Sequence, residues 1–160
     1  MLSYLRKYIY PREKIIELIP KNTNILDLGC GNGDLLHELI KNKKFNYYMG
    51  VDPKIKQNKQ SINYNLSNLK IEDVINQIKK FDCVLMIDVM HHINKNSQDK
   101  LMSDIIKNLK AGSIFIYKDI SIRNKFYSLM NYLHDLFYNF EFINYYISEK
   151  IIKLLTNENI

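Results

Sequence analysis

The chain has 160 residues, of which 46% are hydrophobic and 25% are charged, and its formal net charge is +6. This composition is typical of one globular domain, predicted here over residues 1–160, and no apolar run approaches the ~20 residues that cross a membrane. The charged N-terminus lacks the apolar core of a secretory signal, so a cytoplasmic protein without a membrane span is predicted.

The positive charge does not indicate a nucleic-acid partner. Nearly all basic residues are lysines scattered along the chain, and the arginines are Arg6, Arg12 and Arg123. Phosphate binding favours clustered basic residues, which this pattern lacks. Cys30 and Cys83 lie in or beside apolar segments without the spacing of metal ligands, so they are predicted to be reduced, buried thiols, and no metal site is expected.

Helices and strands alternate along the first half of the chain. Apolar residues at helical spacing indicate helices, short apolar runs indicate strands, and Pro53 stops the second strand because proline has no N–H to donate. A short polar segment is typical of an edge strand. These patterns predict helices from about residue 11 and over 35–40, and strands over 25–28, 47–51 and 61–65.

The second half continues the alternation. Residues 83–87 are five consecutive apolar residues, which is typical of a central strand covered on both faces. Ser97 is predicted to cap the next long helix, and Gly112 to follow its end. The other predicted elements are a helix over 71–78, a fifth strand over 113–118, an aromatic helix over 124–140 and a last helix over 148–155.

Strands that alternate with helices and are apolar throughout indicate an α/β fold, with a mainly parallel sheet and helices on both faces. In such folds ligands bind beyond the carboxyl ends of the strands, where strand order reverses. The residues that follow each predicted strand are therefore the candidates for a site. They are residues 27–33, Asp52, Asn65, residues 88–92, Lys118 and Asp119.

Three of the five glycines lie within one five-residue stretch after the first predicted strand, at Gly29, Gly31 and Gly33. Glycine suits positions where the backbone turns sharply or approaches a ligand closely. A turn that leads into a helix also offers free N–H groups to a polar or anionic ligand group. The dinucleotide pattern G-x-G-x-x-G fails at Asp34 and the phosphate-loop pattern G-K-[ST] is missing, which disfavours a nicotinamide oxidoreductase.

Four motifs in order, LDLGCGNG, GVDP, FDCVLMIDVMHHI and GSIFIYKD, resemble the class I S-adenosylmethionine-dependent methyltransferases over residues 24–119. The resemblance implies a Rossmann-like, doubly wound sheet of strand order 3-2-1-4-5, S-adenosyl-L-methionine as cofactor, and methyl transfer as activity. The C-terminal hairpin of strands 6 and 7 that such proteins normally have is missing from the pattern. Three alternatives are open: residues 140–147 fold back as a strand, a homo-oligomer covers the edge of strand 5, or the domain is C-terminally truncated.

The resemblance also assigns cofactor-binding residues. Asp52, just past the second strand, is implied to accept hydrogen bonds from both ribose hydroxyls, and Asn65 to serve the adenine amine. The loop around the methionine part and the positions near the methyl donor and the ribose complete the set: Asp27, Gly29, Cys30, Gly31, Gly33, Pro53, Asp88 and Val89. The structural alternatives are a glycine turn that only packs a helix against a strand and an aspartate that only ends a strand.

Methyl transfer needs a base only where the acceptor loses a proton, because positioning supplies most of the catalysis. His134 is predicted as that base, since Asn131, His134 and Asp135 lie on neighbouring parts of one helical face. Asp119 and His91 are further catalytic candidates at the expected mouth of the pocket. A structural role for one of the two adjacent histidines is the alternative.

The predicted acceptor follows from a missing motif. The Asn/Asp-Pro-Pro-Tyr signature of methylation on nucleic-acid bases is absent, since the fourth strand is followed by Asp88, Val89, Met90 and His91. A small molecule or a lipid precursor is therefore predicted. A catalytically degenerate cofactor-binding or assembly subunit is the alternative. Methyl transfer to RNA or protein is less favoured than either.

Overall fold

The computed structural model describes residues 12–42 and 44–119. This part of the chain holds three α-helices, two 3₁₀ helices and six strands. The α-helices are α1 (Arg12–Leu18), α2 (Asp34–Lys41) and α3 (Lys95–Lys107), and the 3₁₀ helices are Ile71–Lys80 and Met90–His92. The strands are β1 (Thr23–Leu28), β2 (Phe45–Val51), β3 (Lys59–Ser61), β4 (Tyr64–Ser67), β5 (Cys83–Ile87) and β6 (Ile114–Lys118).

The six strands form one sheet in the order β3-β4-β2-β1-β5-β6. Every neighbouring pair is parallel except β3 and β4, which are antiparallel. The predicted order 3-2-1-4-5 is therefore confirmed, with the five predicted strands present as β4, β2, β1, β5 and β6. Strand β5 is buried along its whole length, as its unbroken apolar run predicts.

The predicted strand over 61–65 is wrong in its bounds. Residues 62 and 63 form the turn of a hairpin, and the chain before the turn is the separate, exposed edge strand β3. Strand β4 continues to Ser67 because Leu66 and Ser67 are buried beside β2. Ile62, Tyr64 and Leu66 alternate with polar residues straight through the turn, so the sequence does not separate a hairpin from a single strand.

The predicted cap of α3 is also wrong. Asn94, not Ser97, caps the helix, since its side chain accepts a hydrogen bond from Asn96 N at 3.0 Å. Both residue types are good N-caps. The buried Gln98 settles the choice, because its amide donates to the carbonyl of Met90 at 3.0 Å and so ties this end of α3 to the turn after β5.

Helices cover both faces of the sheet, as predicted. Successive strand residues point to opposite faces, so Ile25 packs with α1 and α2, while Leu26 packs with the 3₁₀ helix Ile71–Lys80 and with α3. Each leucine or isoleucine buried in these two layers contributes about 1.5–3 kcal/mol. Because β1, β2, β4, β5 and β6 are parallel, their carboxyl ends share one edge of the sheet.

The aromatic helix over 124–140, the helix over 148–155 and the three alternatives for the edge of strand 5 lie outside the described residues, as does His134. Among the described helices none has the length and apolar character to span a bilayer.

Candidate functional site

The glycine turn lies at the carboxyl end of β1 and leads directly into α2. Gly29, Gly31 and Gly33 have φ angles of +80°, +56° and +84°, a region that costs other L-residues roughly 1–2 kcal/mol. The amides of Gly29 and Cys30 donate to the carbonyl of Val51 at 2.8 and 3.1 Å. These bonds fasten the turn to the end of β2.

The three glycines of the turn have different surroundings. A Cβ on Gly29 would lie 2.3 Å from Cγ2 of Val89, and one on Gly33 would lie 2.8 Å from Cδ1 of Leu66. Neighbouring side chains therefore occupy the space that a side chain at either position would need. A Cβ on Gly31 would meet nothing within 4 Å. The turn is thus closed on two sides and open at Gly31, where a ligand has room to approach the backbone.

Asp52 follows β2 directly and its carboxylate is held in place by backbone amides. Oδ2 accepts from the amide of Gly31 at 2.9 Å, and Oδ1 accepts from the amide of Lys54 at 2.8 Å. Pro53 follows on the exposed side. Each carboxylate oxygen has a second lone pair, so Asp52 retains the capacity to accept from two adjacent hydroxyls.

Asp27 lies beneath the turn, inside β1 and only 4% exposed. The hydroxyl of Tyr48 donates to its Oδ2. Burial raises the pKa of Asp27 to about 6, the Tyr48 hydrogen bond opposes that rise, and the negative charge of Asp52 adds to it. The pKa of the Cys30 thiol above is raised, first by burial and then by Asp27 and Asp52, so the loop cysteine is a neutral thiol.

Asp88 follows β5 in a left-handed backbone conformation, with a φ of +55°. Its amide donates to the carbonyl of Lys118 at 2.8 Å, and the Nζ of Lys118 lies 2.5 Å from both of its carboxylate oxygens. Burial raises the pKa of Asp88, and Lys118 opposes that rise. Val89 then packs onto Gly29, so the segment after β5 borders the glycine turn.

His91 and Asp119 form a pair next to this segment. Nδ1 of His91 lies 2.5 Å from Oδ1 of Asp119, and Oδ2 accepts from the amide of His91 at 3.2 Å. Both side chains are 3% exposed, whereas the sequence places them at the mouth of a pocket. The burial arises because the 3₁₀ helix Met90–His92 turns the histidine inward against the end of β6.

Residues 2–159 match the protein family described as "Methyltransferase domain". The chain belongs to this family. Membership confirms the predicted resemblance, the enzyme class and the family's cofactor, S-adenosylmethionine.

Two curated relatives carry the name carboxy-S-adenosyl-L-methionine synthase. The one from Staphylococcus epidermidis is 28% identical over 156 residues, which cover 92% of this chain and 67% of the relative. The one from Campylobacter fetus is 27% identical over 104 residues, which cover 61% of this chain and 44% of the relative. The methyltransferase domain thus spans from under half to about two-thirds of the curated relatives it matches.

The fold agrees with solved structures as well. A SAM-dependent methyltransferase from Archaeoglobus fulgidus superposes with a TM-score of 0.69 at 16% identity, covering 98% of this chain and 72% of that one. At this identity the likeness shows the fold, and it confirms the predicted Rossmann-like architecture.

The structure moves one predicted site residue of the methyltransferase domain away from the strand end. Asn65 lies inside β4, where its Oδ1 accepts from the hydroxyl of Ser67 at 2.9 Å. Asn68 occupies the place just past β4, and its amide group donates to the carbonyl of Pro53 at 3.1 Å. The difference follows from the misplaced end of the third predicted strand.

Sequence reasoning missed Tyr48 altogether. It lies in the apolar run of β2, where an aromatic residue is ordinarily core, and it is fully buried. The signal that could have found it is sheet geometry, because Asp27 pairs with Gly50 and Tyr48 is two residues from Gly50 on the same face. A buried phenol usually has a hydrogen-bond partner, and Asp27 is the nearest acidic group on that face.

Proposed function

We propose that this domain binds S-adenosyl-L-methionine at the glycine turn and Asp52 and transfers its methyl group to a small-molecule or lipid-precursor acceptor. The observation that carries the proposal is the open space above Gly31, whose amide is bonded to Oδ2 of Asp52. A bare backbone position and a carboxylate 2.9 Å away suit a ligand that joins a polar amino-acid group to a ribose.

The charges around the turn also support this ligand. Asp27, Asp52 and Asp88 lie at the ends of β1, β2 and β5, and the negative charge of Asp52 adds to the raised pKa of Asp27. S-adenosylmethionine carries positive charge on its sulfonium and ammonium groups. A cation among these carboxylates lowers their mutual repulsion, which would strengthen binding.

When bound, S-adenosylmethionine would supply an activated methyl group for an in-line displacement. Asp52 would hold the ribose through both oxygens, and the turn at Gly31 would approach the methionine part. Asp88 would lie near the methyl group of the donor. Nζ of Lys118 holds its carboxylate in place at 2.5 Å. The chain's task is then orientation, which supplies up to ~7–11 kcal/mol of the barrier in favourable cases.

The proposed base remains His134, with Asp119 and His91 as further catalytic candidates. The geometry of the last two favours positioning over proton abstraction. Nδ1 of His91 is engaged by Asp119, and both side chains are nearly enclosed. In our proposal the pair therefore holds the segment that carries Asp88 and Val89.

A second candidate reaction rests on the curated relatives and on Lys118. Their name describes synthesis of a carboxylated form of S-adenosylmethionine, and a lysine at the donor end suits an added carboxylate. Mass spectrometry of the cofactor after incubation with a metabolite extract separates the two: a carboxyl added to the donor supports this candidate, and loss of the donor's methyl group supports methyl transfer.

The test of the main proposal is calorimetric titration of the chain with S-adenosylmethionine, with its demethylated product and with NAD. Binding of the first two but not of NAD is expected. Labelled methyl transfer to a metabolite or lipid extract then distinguishes an active enzyme from a cofactor-binding or assembly subunit, while transfer to RNA or protein would replace the proposed acceptor class. Heat from none of the three ligands would reject cofactor binding. We propose a cytoplasmic setting as well, in keeping with two free cysteines.

A further inference from the structure

A buried hydrogen bond under the glycine turn joins Asp27, one of the predicted cofactor residues, to a tyrosine that has no predicted role. Tyr48 is 0% exposed on β2, and its hydroxyl donates to Oδ2 of Asp27 on β1. Asp27 is opposite Gly50 in the strand register, so Tyr48 reaches it diagonally on one face of the sheet. Asp27 is two residues before Gly29, where the turn begins.

The second oxygen of Asp27 has a different environment. Among the described residues, Oδ1 of Asp27 receives no hydrogen bond. Within residues 12–42 and 44–119, the carboxylate therefore has a donor on Oδ2 and none on Oδ1.

We propose that Tyr48 is a positioning residue for the methyl donor, whose hydroxyl orients the Asp27 carboxylate so that Oδ1 faces the positively charged methionine part. The inference rests on the proposed function. Tyr48 does not touch the ligand and acts through Asp27. A phenol is suited to this because it is rigid, buried and able to donate one strong hydrogen bond to a carboxylate.

Asp27 is expected to change its charge near pH 6, and Asp88, whose pKa burial also raises, is a second carboxylate of the proposed site that can contribute to pH dependence. Burial raises the pKa of Asp27 to about 6, and Asp52 at the end of β2 adds to the rise. Burial raises the pKa of the thiol of Cys30 in the turn, and it raises that of Cys83 on β5 to about 12, so both stay neutral. A cationic ligand favours ionised Asp27, so its affinity should increase as the pH rises through about 6.

Calorimetric titration of the full chain with S-adenosylmethionine from about pH 5 to about pH 8 tests this. The Tyr48→Phe variant is expected to bind about tenfold more weakly near pH 6, because a hydrogen bond to a charged group is lost. Its affinity should recover at higher pH than that of the unaltered chain, since the Tyr48 hydrogen bond lowers the pKa of Asp27. The Tyr47→Phe variant is the matched control, because Tyr47 is next along β2 and packs on the opposite face.

Asp27→Asn supplies the second variant. It should bind weakly and lack the part of the pH dependence near 6 that Asp27 contributes, and adding Tyr48→Phe to it should change the affinity no further. An equal loss in Tyr47→Phe, an unchanged pH profile in Tyr48→Phe, or additive losses in the double variant would overturn the role of Tyr48. No binding by the unaltered chain at any pH would instead overturn the proposed function on which the inference rests. Melting temperatures of each variant establish that the chains compared are folded.

Discussion

The amide of Gly31 donates to Oδ2 of Asp52 at 2.9 Å, and this bond joins the turn after β1 to the end of β2. The two residues are 21 positions apart in the sequence and meet because β1 and β2 are parallel neighbours. A carboxylate bonded in advance to the turn needs little reordering when a ligand binds, which favours affinity. The bond thus joins the glycine motif and the aspartate after β2 into one proposed site.

Replacing Asp52 by alanine should weaken S-adenosylmethionine binding about 10- to 100-fold, since hydrogen bonds to a charged group contribute about 1.5–3 kcal/mol. Calorimetric titration measures the change. Asp104→Ala is the control, because Asp104 pairs with the exposed Lys100 on α3. Equal affinities for the Asp52 variant and the unaltered chain would remove Asp52 from the site.

Gly31→Ala and Gly112→Ala form a matched pair. Both glycines have positive φ, +56° and +75°, and a Cβ at either meets nothing within 4 Å. Each variant should therefore lose about 1–2 kcal/mol of unfolding free energy in denaturant titration. Only Gly31→Ala should also lose cofactor affinity, by about tenfold or more. Equal binding in the two variants would mean that no ligand approaches the backbone at Gly31.

Gly29→Ala should be more damaging to the fold. The added Cβ would lie 2.3 Å from Cγ2 of Val89, in addition to the strain at a φ of +80°. A loss of about 2–4 kcal/mol of unfolding free energy is expected. Adding Val89→Ala should restore part of it by removing the overlap. If the double variant is no more stable than Gly29→Ala alone, the packing of the turn on the segment after β5 is not the cause.

Asp27 makes stability depend on pH in a predictable direction. Its folded pKa of about 6 is above the ordinary value of 3.8, so the folded state binds more protons in between, and the free energy of unfolding should fall as the pH rises from about 4 to about 6. The Asp27→Asn variant lacks this loss, so it should gain stability relative to the unaltered chain over that window, by up to about 3 kcal/mol. Denaturant titrations at several pH values measure the difference.

Asp88, whose pKa is also raised, changes stability in the same sense in both chains and cancels in the comparison. Asp34→Asn serves as the control, because Asp34 is an exposed partner of Arg12. A constant difference between Asp27→Asn and the unaltered chain across the window would show that Asp27 does not titrate there.

His91 and Asp119 should behave as a coupled structural pair. Removing one partner of a buried hydrogen bond leaves the other polar group unsatisfied, which costs about 1–3 kcal/mol. His91→Ala, Asp119→Ala and the double variant, compared by thermal and denaturant unfolding, should show a coupling energy of at least about 1 kcal/mol. Additive losses would mean that the 2.5 Å contact contributes nothing to holding the segment after β5.

The order of elements and the location of the proposed site followed from local signals. The run 83–87 is apolar without interruption because both its faces are covered, and the glycines after β1 lie where the backbone requires positive φ. Such features are imposed on each residue by its immediate surroundings, so a single sequence records them. The predicted bounds of the strand over 61–65 and the predicted cap at Ser97 were wrong because several neighbouring residues satisfied the same local rule.

By itself, then, the sequence determined the fold class, because periodicity is a local property of the chain, and its motifs resembled those of the family to which the chain belongs. Only the tertiary structure decided which side chains meet. It brought Tyr48 to Asp27, buried His91 against Asp119 and left open space at Gly31 but not at Gly29. These relations depend on strand order and register, which place residues far apart in sequence within a few ångströms, and no local pattern records those distances.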